Sequence, residues 1–143
     1  MDVKLPANCT CFNLRKAARA VSHAYDEALK PSGLRGTQFS LLVVVRDRGP
    51  AGITELAKAM VMDRTTLTRN LKPLLARGLL EVVDGADRRR RPIAITDPGR
   101  DAIARALPLW QQAQTRIAGG LGKARWAGLI ADLDETVRIS QGA

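Results

Sequence analysis

Residues 54–78 read TELAKAMVMDRTTLTRNLKPLLARG, and the spacing of their apolar side chains decides the fold. Leu56, Ala57 and Met60 share one face of a short helix, Glu55 to Met60, for which Thr54 is the expected N-cap. Leu67, Leu71 and Leu74 recur at spacings of three and four along a second helix, Arg64 to Arg77, that stops at Gly78. The two stripes fill the space between these helices, so the segment reads as a helix-turn-helix. The opposite face of the second helix carries Arg64, Thr65, Thr68, Arg69 and Lys72. Guanidinium groups and hydroxyls near a helix start suit the major groove of DNA, bonding base edges while the positive helix end faces phosphate. An ordinary αα-hairpin with a solvated polar face would show the same pattern, so the flanking sequence has to separate the two.

Downstream, Leu79–Val83 and Pro92–Thr96 have strand character and enclose a loop rich in turn residues, Gly85–Arg91. The loop contains Asp87-Arg88-Arg89-Arg90-Arg91, four adjacent like charges that repel one another without an anion nearby. A wing laid along phosphates, with one arginine in the narrow, electronegative minor groove, accounts for that cost better than a solvated charge run. The predicted DNA-contacting set is therefore Arg64, Thr65, Thr68, Arg69 and Lys72 from the helix with Asp87, Arg88, Arg89 and Arg90 from the wing.

Upstream, residues 1–8 read as a loose arm. Leu14, Ala18, Val21, Tyr25 and Ala28 then mark an amphipathic helix over about residues 10–30, ended by Pro31-Ser32-Gly33. The run Phe39–Val45 is β-branched enough to suggest a strand, but its flanks, Thr37 and Gly49-Pro50, favour a buried helix. After the hairpin a helix starts at Thr96 or Asp97 with Pro98 in its first turn. It carries Ile103, Leu107, Trp110 and Ile117, bends at Pro108, and is interrupted at Gly119-Gly120 and Gly122. A last helix carries Trp126, Leu129, Ile130, Leu133 and Val137. The fold class is mainly α with a small β-hairpin wing: a winged helix-turn-helix flanked by N- and C-terminal dimerisation helices. Residues 1–143 form one domain, with a DNA-binding lobe over about 33–98 and a dimerisation lobe from about 9–32 and 99–143. The outer helices hold more apolar stripe than one small winged domain covers, which predicts a homodimer.

Composition supports an anionic partner. The 143 residues carry a net charge of +9 and a pI near 10.6, which favours nucleic acid first and an acidic membrane surface second. No apolar run approaches membrane-spanning length, and Met1–Pro6 lacks an apolar signal core, so a cytoplasmic protein with no membrane partner is expected. RNA recognition leans on stacking aromatics, whereas this chain has five aromatics, mostly on core stripes. One histidine, no nucleotide loop and no metal-ligand cluster argue against an enzyme and against a cofactor or metal. A thiol peroxidase using Cys11 would need a base that the sequence does not supply.

Taken together, Ile53-Thr54-Glu55-Leu56-Ala57, Asp63–Lys72, Leu75-Ala76-Arg77-Gly78-Leu79-Leu80, Asp87-x-Arg89 and Ile95-Thr96-x-x-Gly99 resemble the MarR family of bacterial regulators over nearly the whole chain. The wing pattern and the Thr-x-x-Gly helix start are the most specific parts. The resemblance implies a triangular homodimer on an inverted-repeat operator, with Arg89 in the minor groove and Asp87 orienting it. It further implies a transcriptional regulator, typically a repressor, that releases DNA when a small molecule or oxidant acts on it.

Cys9 and Cys11 are too close for an easy intrachain disulfide and too few for a scaffold. Cys11 stands eight residues before Arg19 and fourteen before Tyr25, a placement that resembles the organic hydroperoxide-sensing branch of the family. Tyr25 matches one of the tyrosines that hold the thiolate in that branch, while the other two positions fall on Arg15 and Gly36. Three readings stay open: small apolar fillers, a redox sensor resolved by a cysteine of the other subunit, and a metal or arsenite site. His23 lies twelve residues from Cys11, roughly 18 Å along a helix, so the two cannot share a metal within one chain. Arg15, Arg19, His23 and Tyr25 also lie where small-ligand members of the family bind aromatic acids or acyl thioesters, although a plain face in water is the simpler reading of the same residues.

Overall fold

The computed structural model describes residues 6–84 and 91–142. The helices are α1 (Thr10–Leu29), α2 (Gly36–Arg48), α3 (Ile53–Met60), α4 (Arg64–Ala76), α5 (Asp97–Leu121) and α6 (Lys123–Ser140), with strands β1 (Leu80–Val82) and β2 (Ile93–Ile95) between α4 and α5. The β-branched run of α2 is helical, as its flanks predict, and buries Phe39, Leu41, Leu42 and Val45. These pack with Leu29, Leu56, Leu67, Leu71, Leu74, Leu80, Ile93 and Ile103 in one core. Burying a leucine of this kind contributes about 1.5–3 kcal/mol, so aliphatic packing holds the molecule together with few aromatics.

The helix-turn-helix forms on the predicted seam, and Leu56, Ala57, Leu67, Leu71 and Leu74 are all buried. Its start differs from expectation. Gly52, not Thr54, is the N-cap of α3: Gly52 is extended, and Leu56 N–H donates to its carbonyl at 3.0 Å. The reason lies just upstream, where Ala51 exchanges two backbone hydrogen bonds with Ile93, at 3.0 and 2.8 Å. That bridge holds the chain extended up to residue 52 and fixes where helical pairing can begin. The turn between α3 and α4 passes through Val61, whose left-handed backbone (φ 52°) is unusual for a β-branched residue.

β1 and β2 pair antiparallel, with Leu80 opposite Ile95 and Val82 opposite Ile93. The loop that joins them, residues 85–90, lies outside the described residues, and with it Asp87, Arg88, Arg89 and Arg90. The base of the hairpin meets the start of α5 in a tight corner. Thr96 caps α5 by accepting Gly99 N–H at 3.1 Å, and its hydroxyl donates to the Gly78 carbonyl at 2.6 Å. A β-carbon on Gly99 would stand 2.1 Å from the Leu79 carbonyl oxygen, which explains why Thr-x-x-Gly is needed here.

The outer helices depart from the sequence reading at one point. The α5 helix is not interrupted at Gly119-Gly120 but runs to Leu121 and ends at Gly122 (φ 87°). Glycine in an exposed helix costs about 1 kcal/mol relative to alanine, yet it keeps its N–H and so need not break the helix. The apolar surplus of the outer helices is present as read: Leu14, Ala18 and Val21 of α1 are exposed, and α6 has no buried residue.

The corner at Gly99 generates a stability prediction. Gly99→Ala forces backbone apart and is expected to cost about 2 kcal/mol or more. Gly119→Ala, where a β-carbon meets nothing within 4 Å, is expected to stabilise by up to about 1 kcal/mol. Urea denaturation of the two variants checks this, and a neutral Gly99→Ala would refute the close approach.

Candidate nucleic-acid interface

The start of α4 is held by Asp63. Its carboxylate accepts Thr66 N–H at 2.7 Å and the Thr66 hydroxyl at 2.8 Å. The Thr66 backbone bond is the main cause holding the Asp63 carboxyl below the usual aspartate range, and the Thr66 hydroxyl adds to it. This cap fixes the first turn, from which Arg64, Thr65, Thr68, Arg69 and Lys72 project. All five are exposed and border one shallow concavity along the outer face of α4. The five side chains grouped by helical spacing thus share one exposed surface. One detail changes their chemistry. The Thr68 hydroxyl donates to the Arg64 carbonyl at 2.8 Å, so it presents lone pairs outward and acts as an acceptor unless it rotates.

A second concavity on the α2 side of the same helix is lined by Arg35, Thr37, Gln38, Leu41, Arg69, Asn70 and Pro73. No local pattern in the sequence shows that Arg35, Thr37 and Gln38, at the start of α2, lie beside α4. Arg69 borders both surfaces and joins them.

The effector candidates do not converge within one chain. Cys9 and Cys11 are both exposed, and Cys9 caps α1 through Sγ, which accepts Phe12 N–H at 3.4 Å. Arg15 and Arg19 are exposed on α1. His23 lines an open, mostly apolar groove of about 770 Å³ between α1 and α5, with Glu27, Gln112 and Arg116 as its other polar residues. Tyr25 turns toward α5: its hydroxyl donates to Gln114 Oε1, and its ring sits 6.4 Å from that of Trp110. Partial burial raises the Tyr25 phenol above its ordinary value. Along one helix Tyr25 is roughly 21 Å from Cys11, so it cannot hold that thiol within its own chain.

A helix-turn-helix with a basic, hydroxyl-bearing outer helix, followed by a hairpin rooted on its end, defines a winged-helix DNA-binding protein. Known proteins narrow the class. Residues 34–91 match the model of the MarR family. The transcriptional regulator MosR of M. tuberculosis, solved in complex with DNA, superposes with a TM-score of 0.86 at 38% identity, over 94% of this chain and 98% of that one. The transcriptional repressor NicR of Pseudomonas putida is 26% identical over 131 residues, 91% of this chain and 83% of that protein. BpsR of Bordetella bronchiseptica, whose DNA binding is regulated by 6-hydroxynicotinic acid, has a TM-score of 0.81 at 27% identity, over 92% of this chain and 94% of that one. The chain belongs to the MarR family and is a DNA-binding transcription regulator. Among the described residues no helix is long and apolar enough to cross a membrane.

The cap at Asp63 is testable by pH. Its carboxyl titrates lower when folded, so its contribution is present above the ordinary aspartate value and is lost as pH falls through the lowered folded value. Asp63→Ala should lower Tm at neutral pH, and the gap to wild type should close in strong acid. Asp63→Asn should keep most of the neutral-pH stability. A gap that stays constant with pH would count against the charged cap.

Proposed function

We propose that two copies of this chain form a repressor that grips an inverted-repeat operator, with half-site centres about 10 base pairs apart or a multiple of that. The open face of α4 carries this reading: Arg64, Thr65, Thr68, Arg69 and Lys72 form one accessible surface of major-groove chemistry. Arg89 enters the minor groove from the wing, oriented by Asp87, with Arg88 and Arg90 on flanking phosphates. The DNA-binding lobe spans about 33–98, and residues 9–32 and 99–143 supply the dimer lobe. Support for the dimer is the state of α6, an 18-residue helix with no buried residue and with Leu129, Ile130 and Val137 each 41% exposed.

The release signal is thiol oxidation. Cys9 and Cys11 are exposed at the N-terminal end of α1. A hydroperoxide transfers one oxygen to the Cys11 thiolate: the O–O bond breaks, an S–O bond forms and an alcohol leaves. A thiol of the partner then attacks that sulfur, expels water and leaves an intersubunit disulfide. A ligand reading competes because the α1–α5 groove offers His23 and Arg116 to a carboxylate, and BpsR answers to an aromatic acid.

Two experiments test these readings. Light scattering should give a dimer mass, and DNA selected from a random pool should contain an inverted repeat. Arg69→Ala should relax preference at one base pair per half-site by about 1–3 kcal/mol, whereas Arg89→Ala should weaken all sequences and flatten the salt dependence. Equal small losses for Arg88, Arg89, Arg90 and Arg91 variants would refute the special place of Arg89.

In the second, operator affinity is measured before and after cumene hydroperoxide. Wild type should release DNA and recover with a thiol reductant, while Cys11→Ser should bind and not respond. If oxidation changes nothing, and 6-hydroxynicotinic acid releases DNA from wild type but not from His23→Ala, the ligand reading replaces the redox one.

A further inference from the structure

A third concavity, distinct from both surfaces described on α4, lies where α3, the start of α4 and the base of the wing meet. It encloses about 640 Å³ and is lined by Gly52, Ile53, Thr54, Glu55, Lys58, Arg64 and Arg91. Three of its seven lining residues are cations, each from a different element: Lys58 from α3, Arg64 from the first position of α4, and Arg91 from the return of the hairpin. All three are exposed, and none gains stability from being placed beside the others. Its one acid, Glu55, is engaged from outside by Arg48, at 3.3 Å. The lining thus keeps three positive charges against one carboxylate that already has a partner. The three cations at its rim suit the concavity to an anion.

Arg64 gives the concavity its meaning, because the same residue also borders the outer face of α4. Whatever lies in the concavity is therefore next to the DNA read by α4. Its lining includes neither Thr65 nor Thr68 but residues of α3 and the base of the wing. On B-DNA the anion found beside a groove contact is the backbone phosphate.

We propose that Lys58, Arg64 and Arg91 clamp one backbone phosphate of the bound DNA in each half-site, and that the Arg48–Glu55 pair holds Glu55 back from opposing it. The inference rests on the DNA-binding reading and deepens it. Lys58 and Arg91 become positioning contacts that carry no sequence information, set the register of α4, and join helix-turn-helix to wing across a single phosphate. Arg64 belongs to the clamp as well as to the reading face.

The test uses the full-length dimer, a duplex carrying the selected inverted repeat, and an unrelated duplex of equal length. Lys58→Ala should lower affinity for both duplexes by the same factor, and should reduce the slope of log affinity against log salt by about one per clamp. The bases it selects from a random pool should stay the same. Lys58→Arg should retain most of the affinity, Glu55→Gln should raise it, and Arg48→Ala should lower it. Neutral methylphosphonates placed one at a time along the operator then locate the contact. Wild type should lose affinity at one position per half-site where Lys58→Ala loses none. Because Lys58 is exposed, Tm should not change, which separates the effect from unfolding. An unchanged salt slope in Lys58→Ala, or a changed base preference, would overturn the clamp while leaving the DNA-binding reading intact. Wild-type protein that binds neither duplex would overturn both.

Discussion

The first turn of α5 lies against the Leu79 carbonyl at a distance that only glycine permits, since a β-carbon at position 99 would stand 2.1 Å from that oxygen. Around this approach three elements close into one corner. The Thr96 hydroxyl bonds the Gly78 carbonyl at the end of α4, Thr96 N–H bonds the Leu79 carbonyl at 3.2 Å, and Gly99 N–H bonds back to Thr96. The recognition helix, the root of the hairpin and the helix that leads to the opposite end of the molecule are thereby joined without a flexible linker. Packed interiors and hydrogen-bonded corners deform little. A displacement of α5 therefore carries the root of the wing and the end of α4 with it.

The same economy appears in the charges. A net charge of +9 destabilises a compact chain through self-repulsion, and three of the acids are tied to specific tasks. Asp63 caps α4, Asp26 caps the start of α2 by accepting Gly36 N–H at 2.7 Å, and Glu55 pairs with Arg48. These acids satisfy helix ends or neighbouring cations without neutralising the outer face of α4. Exposed ion pairs of this kind add little stability. Their value lies in keeping carboxylates away from the place where phosphate is expected.

Much of this was legible in the sequence wherever the governing interaction is local. The Leu67, Leu71 and Leu74 stripe, the stop at Gly78 and the Thr96–Gly99 helix start are short-range patterns, and each formed as read. Misreadings arose where a distant partner decides. Thr54 looks like a cap until Ala51 is seen bridged to Ile93, which moves the helix start to Gly52. Nothing local to Tyr25 shows that Gln114 and Trp110 hold it against α5. The break expected at Gly119-Gly120 overweighted propensity, since two glycines lower helix stability without removing its hydrogen bonds. Arg35 and Lys58 gave no sequence signal, because membership of a concavity between elements is a property of the packed chain.

The unburied α6 and the tight corner at Thr96 together constrain how a signal on α1 could reach DNA in the proposed switch. The cysteines stand on the exposed N-terminal end of α1, whereas the inner end of that helix is fixed to α5 by the Tyr25–Gln114 hydrogen bond and by the Tyr25–Trp110–Phe39 aromatic cluster. A covalent bond between subunits at the outer end would bias the relative placement of two α1 helices, and through them of two α5 helices. Each α5 enters its winged helix at Thr96 with no slack. A twofold operator tolerates only one spacing between recognition helices, so a small change at the dimer lobe must appear as strain at both half-sites at once. Coupling of about 1–3 kcal/mol, the usual allosteric range, corresponds to a change of roughly 5- to 150-fold in affinity. That is enough to empty an operator without either winged helix having to change its own structure.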